Sequence, residues 1–389
     1  MPLVFVHGVA TRPKPEYLAE VAQRTALFKE MVLNGAATVL NPDWGSGAVN
    51  FTESLPWLPS PSGNQGFAAG GQMVGAQGEI GLSAMAQGDA AQAVDLAIAG
   101  VLEQAILDAA AAGEPELAAG KNIDLAKAAA GYIEANAPGD QPAGVDALAG
   151  GDDAAFALAL EQQLQQMPGV QAYGGIGDTI ADGLKAIGGW FGNGASDLLL
   201  RAKRRDLSKG VAFFLGDIFI YLRQREVAGP TGVEDRLFKP ILDDLIAAFK
   251  ARQDPEPFVV VGHSLGGVLL YDILTDPACL TRLAAEAPGF KIDLLATVGS
   301  QPGFFADLKL YRNKPVAGGK LARPASVAVW YNVFDYTDVF SFLAAPAFDG
   351  VTDFGYDTAV DVLAAHTAYF KRPSFYQRLR KRLQGLGYP

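Results

Sequence analysis

The chain has 389 residues, of which 50% are hydrophobic and 19% charged. That is enough apolar material for a large buried core, which excludes global disorder. A formal net charge of −11 opposes phosphate binding, so nucleic acid is excluded as the main partner and solubility is the plain use of the charge.

The first predicted element is a buried strand, Leu3–Val6, running into His7-Gly8. With no basic stretch or cleavage site before it, and no uncharged apolar run of about 18 residues, the expected location is cytoplasmic. Glu16 to Leu33 reads as a helix with Leu18, Val21, Thr25, Phe28 and Val32 along one face. Ala37 to Leu40 reads as a second strand, closed by Asn41-Pro42-Asp43-Trp44. This alternation opens a parallel α/β sheet, and residues 1–50 form the first part of that core.

The pattern then stops. From Phe51 to about Arg205 the chain is rich in Ala, Gly and Gln, with helix-prone stretches at Ala90–Ala112 and Ala154–Gln166. Residues 51–206 are expected to form a helical insertion or cap, with partial disorder as the alternative. Within it Ile176, Ile180, Leu184, Ile187 and Phe191 recur at helical spacing, as in an amphipathic lid or an element touching a membrane surface. The basic run Arg201 to Arg205 suits an anionic headgroup, or equally a solvated turn.

The core resumes over residues 207–389. Helices are predicted at Val211–Arg225 and Val233–Arg252, then a strand at Phe258–Val261. Gly262-His263-Ser264-Leu265-Gly266-Gly267 follows directly, and an apolar helix runs on to about Thr275. A strand, a sharp turn and a helix around Gly-x-Ser-x-Gly expose a serine beside helix N–H groups, as a nucleophile requires. Further on come a helix near Leu280–Ala287, a strand at Ile292–Val298, and a strand at Ala325–Val333 that ends in an acidic loop. The last helix is expected from Pro373 to Gly385. Asp349, Asp353, Asp357 and Asp361 read as turn and surface carboxylates.

Only three histidines are present, so the base for Ser264 is found by counting. His7 ends the first strand, and His263 adjoins Ser264 and should point elsewhere. His366 remains, and histidine's ordinary pKa suits proton transfer at neutral pH. A carboxylate must orient the imidazole; Asp338 is the first choice and Asp335 the alternative, with Val339-Phe340 tucking Asp338 back against the sheet. The expected oxyanion donors are the backbone N–H groups of Leu265 and Val9, with Gly8 allowing a close approach. A single cysteine, Cys279, excludes an internal disulfide and a cysteine-based zinc site.

Taken together, Val4-Phe5-Val6-His7-Gly8, the Gly262–Gly267 turn, the Asp335/Asp338 loop and His366 resemble the lipase and esterase branch of the α/β-hydrolase superfamily. The resemblance spans residues 1–50 and about 207–370. It implies a mainly parallel sheet flanked by helices, lacking two edge strands that precede the first strand in fuller members. It also implies a serine hydrolase forming an acyl-enzyme, with neither cofactor nor metal. The insertion points to a lipid or other hydrophobic carboxylic ester. The same residues would equally serve an amidase, thioesterase or acyltransferase. A membrane-interacting or partner-binding protein on a hydrolase scaffold is the alternative of another class. Oligomeric state is not legible in the chain.

Overall fold

The computed structural model describes residues 1–33, 35, 37–51, 82, 86, 90–120, 122–135, 148, 153–166, 179–183, 197–227, 237–253, 255–312, 319–360 and 362–388. Six strands form one sheet: β1 (Leu3–Val6), β2 (Val39–Leu40), β3 (Val259–His263), β4 (Ile292–Val298), β5 (Val327–Phe334) and β6 (Val351–Gly355). Their order is β2-β1-β3-β4-β5-β6, and every neighbouring pair is parallel. Around them lie α1 (Pro15–Leu27), α2 (Ala90–Ala112), α3 (Asn122–Ala135), α4 (Asp153–Leu164), α5 (Asp197–Val227), α6 (Phe238–Ala251), α7 (Leu265–Ile273), α8 (Pro277–Glu286), α9 (Pro302–Asp307), α10 (Val362–Ala368) and α11 (Pro373–Gly385).

Alternation along the strands decides which layer each residue meets. Leu3, Phe5, Val259, Val261 and Leu294 share one core with α1, α2, α3 and α11. Val4, Val6, Val260 and Leu295 share the other with α6, α7 and α8. Burial on both faces explains why β1, β3 and β4 read as unbroken apolar runs.

β1 to β2 steps one way across the sheet, and the chain then returns to place β3 on the other side of β1. The strand order therefore reverses between β1 and β3. In open parallel sheets, the crevice beyond the carboxyl ends of strands at such a reversal is where ligands bind. Gly8 and Ser264 stand at those two ends.

Several expectations need correction. β6 was not predicted, because as an edge strand it is half-exposed and lacks an apolar run. Asp353, read as a surface carboxylate, lies within β6 and accepts hydrogen bonds from Asn332 Nδ2 (2.7 Å) and the N–H groups of Ala344 and Ala345. The expected boundary at residue 206 falls inside α5, one continuous helix from Asp197 to Val227.

The insertion is also more than a cap. α2 belongs to the same core as β1, and Gln23 Nε2 donates to its Leu102 carbonyl at 2.7 Å. Asp95 of α2 is buried in an ion pair with Arg372 and accepts from Ser374 Oγ at 2.8 Å. α2 is long and apolar enough to span a membrane, but two-thirds of its apolar window is buried within the protein. Its hydrophobicity serves the core.

Of the expected lid helix, Ile176, Leu184, Ile187 and Phe191 lie outside the described residues. Ile180 is fully buried, and Gly183 lies against the Gly100–Val101 backbone of α2. The side chains of Arg201 to Arg205 also lie outside the described residues.

Candidate active site

Ser264, between β3 and α7, has φ 53° and ψ −129°, a conformation rarely adopted by a side-chain-bearing residue. Such local strain persists only where the surroundings hold it. Ser264 N–H donates to Val298 O of β4 at 3.0 Å, and Ser300 Oγ donates to Ser264 O at 2.5 Å. The glycines around it are steric necessities. A Cβ on Gly266 would lie 2.3 Å from Val6 O, and one on Gly8 would lie 2.6 Å from Ser264 Cβ. Larger residues at either place would force β1 and α7 apart.

His366, in α10 beyond β6, brings Nε2 to 2.8 Å from Ser264 Oγ. Its Nδ1 stands 3.0 Å from each Asp338 oxygen. A carboxylate accepts, so Nδ1 carries the proton and Nε2 offers its lone pair to the serine hydroxyl. Asp338 is buried, and also accepts from Phe340 N–H at 2.9 Å and Tyr369 O–H at 3.0 Å. Of the two expected carboxylates, Asp338 meets His366. Asp335 instead accepts from Thr337 N–H and Oγ and from Thr358 N–H and Oγ, tying the β5 loop to the segment after β6. Asp338 is turned inward and buried beside His366, whereas Val339 and Phe340 themselves are exposed. The turn is stabilised by the Phe340 N–H bond to Asp338, which needs no buried side chain.

Leu265 N–H opens α7, where the first N–H groups lack helical partners. Val9 N–H lies in the loop after β1. Neither has a hydrogen-bond acceptor among the described residues. Asp217 of α5 holds that loop: it is fully buried, accepts from Ala10 N–H at 2.7 Å, and pairs with Arg12 at 2.7 Å. It also accepts from Val49 N–H at 3.0 Å.

Sequence reasoning missed four supporting side chains. His263 Nε2–H donates to the His366 carbonyl at 2.8 Å, fixing the start of the base's own peptide unit. Burial, and then the neighbouring His366, push the His263 imidazole well below its ordinary pKa, so it remains neutral. Gln301 Nε2 donates to Phe340 O at 2.7 Å and lies 3.4 Å from Ser264 Oγ, linking the acid's loop to the serine. Ser300 and Tyr369 complete the set. A signal existed for three of them: Ser300-Gln301 ends β4 at the sheet's carboxyl edge, and Tyr369 lies one turn after His366.

Ser264, His263 and His366 line a cavity of about 130 Å³, whose other wall includes Phe5, His7 and Arg24. No cluster of His, Cys, Asp and Glu suited to a metal ion occurs among the described residues. Cys279 is buried, with its thiol pKa raised by desolvation and by nearby Asp276, and takes no part. Compared with known proteins, the chain matches no family model, no curated protein and no solved structure.

Proposed function

We propose that this chain is a serine hydrolase of carboxylic esters built on an α/β-hydrolase fold. The observation that carries the reading is the unbroken relay from Asp338 in the loop after β5, through His366 in α10, to Ser264 in the turn after β3, at the carboxyl edge of one parallel sheet. The chain order serine, acid, histidine and the reversal of strand order beside Ser264 support it.

Ser264 Oγ attacks the ester carbonyl carbon as its proton passes to His366 Nε2. The carbonyl electrons move onto oxygen, and the N–H groups of Leu265 and Val9 receive that charge. Collapse expels the alcohol, which takes the proton from His366 and leaves an acyl-enzyme on Ser264. Water, deprotonated by the same imidazole, then releases the acid. Asp338 holds the imidazole in orientation and offsets its charge.

A hydrophobic part of the substrate would rest at the rim. Phe340 meets His366 edge-on at 5.3 Å, and Phe304 stacks on Phe342 at 5.1 Å, all three phenylalanines being exposed. The test is hydrolysis of p-nitrophenyl esters from acetyl to palmitoyl, with fluorophosphonate labelling, in wild type, Ser264→Ala and His366→Ala. Turnover and labelling that vanish with Ser264 support the proposal. A wild-type protein silent in both assays would sink it.

A further inference from the structure

Arg24 and His7 line the cavity over Ser264, and each buries a polar atom, Arg24 Nε and His7 Nε2, that has no hydrogen-bond partner among the described residues. Arg24 is 7% exposed. Its guanidinium lies 3.8 Å from the centre of the Phe5 ring and donates to Asn41 Oδ1 at 2.9 Å. No carboxylate forms an ion pair with it among the described residues, although Glu20 lines the same cavity. Lys371, the other cation on the wall, is paired with Glu103. A buried cation normally has a counter-charge, because taking it out of water without one is costly. Arg24 instead meets the ring faces of Phe5 and Tyr17, the Tyr17 hydroxyl and an amide oxygen, all of them neutral.

His7 completes the pattern. Its ring stacks on Trp44, and its Nδ1–H donates to Gly8 O at 2.8 Å. Burial pushes the imidazole down to about 4, so Nε2 presents a bare lone pair at neutral pH. The cavity wall thus carries one cation without a counter-charge and one imidazole with an unsatisfied acceptor among the described residues.

Resting on the hydrolase reading, we infer that the cavity is a subsite for an ester bearing a carboxylate, which Arg24 receives as the missing counter-charge. A hydroxyl or N–H group beside that carboxylate would satisfy His7. The exposed phenylalanines then face the other end of the substrate, so the preferred ester is anionic at its buried end and apolar at its outer end.

The test compares the p-nitrophenyl monoester of adipic acid with the neutral ester in which an isopropyl group replaces the terminal carboxylate. Shorter diacids are avoided because they expel the phenol by cyclising. In wild type, kcat/KM should favour the charged ester by roughly ten-fold or more, the scale of one charge-assisted hydrogen bond. That ratio should fall towards unity in Arg24→Gln and persist in Arg24→Lys. A ratio near unity in wild type, or one unchanged by Arg24→Gln, overturns the subsite.

Thermal melting with free adipate gives a reading independent of turnover. Adipate should raise the Tm of wild type and Ser264→Ala but not that of Arg24→Gln. If neither ester is hydrolysed and Ser264 fails to label, the hydrolase reading falls while an adipate shift confined to proteins carrying Arg24 sustains the subsite. If Ser264 labels and adipate shifts nothing, the subsite falls and the hydrolase reading stands.

Discussion

Gly8 lies so close to Ser264 that a Cβ on the glycine would stand 2.6 Å from the serine Cβ and 3.1 Å from its Oγ. The two residues are 256 positions apart (264 − 8) and meet because β1 and β3 are neighbours in register, Val6 beside Gly262. Gly8→Ala should therefore displace the Val9 loop from the serine. We expect a loss of kcat/KM of about a hundred-fold, as for a missing oxyanion donor, with destabilisation of about 1–3 kcal/mol. Ester kinetics and urea melts on the same preparation check both. Wild-type activity in the variant would show that the loop plays no part in the reaction.

Asp335 and Asp338 are separated by two residues and should fail in different ways. Asp338→Asn preserves volume but presents the wrong partner to His366 Nδ1–H, so kcat should drop by roughly three to four orders of magnitude with little change in Tm. Asp335→Ala deletes the acceptor of four hydrogen bonds from Thr337 and Thr358 and should cost about 3 kcal/mol. Ser264 should still label in that variant at a temperature where it is folded. The opposite pairing of effects would exchange their roles.

Asp217 ties α5 to the loop that carries Val9. Removing its carboxylate leaves Arg12, 17% exposed, without its counter-charge and frees two backbone donors. Asp217→Ala should lose about 3–5 kcal/mol of stability and lower kcat more than it raises KM. Calorimetry and steady-state kinetics give the two numbers. A destabilised variant with unchanged kcat would separate the ion pair from the chemistry.

Acid should weaken the fold below neutral pH. In the unfolded chain His7 takes a proton near its ordinary pKa of about 6.5, whereas burial holds it down to about 4 in the fold. Its contribution is thus complete above about 6.5 and is lost as pH falls towards 4, up to ~3 kcal/mol. His263, also lowered by burial, acts in the same direction. Asp244, pushed up to about 6 by burial, acts the other way, since its neutral form suits the fold. Asp272, also raised by burial, acts with Asp244. The histidines take up their protons between pH 7 and pH 5 in the unfolded chain, so urea midpoints should fall over that range, and His7→Gln should flatten the slope. A flat wild-type profile would contradict the burial of both imidazoles.

Much of this arrangement was legible along the chain. The apolar runs of β1, β3 and β4 declare themselves because both faces of those strands are buried. The crowding of strand against helix leaves a local trace in Gly262, Gly266 and Gly267, and three histidines leave few candidates for a base. Tertiary structure decided the rest. Asp335 and Asp338 have the same composition, and only the position of α10 over the β5 loop sends one to His366 and the other to Thr358. β6 was hidden because an exposed edge strand needs no apolar signature. α2 looked like part of a cap because Ala-rich periodicity does not reveal which surface it covers. Arg24 shows the difference most sharply. Along the chain it is one cation on an amphipathic helix, and it becomes a candidate anion site only where folding buries it beside Phe5 with no carboxylate paired to it among the described residues.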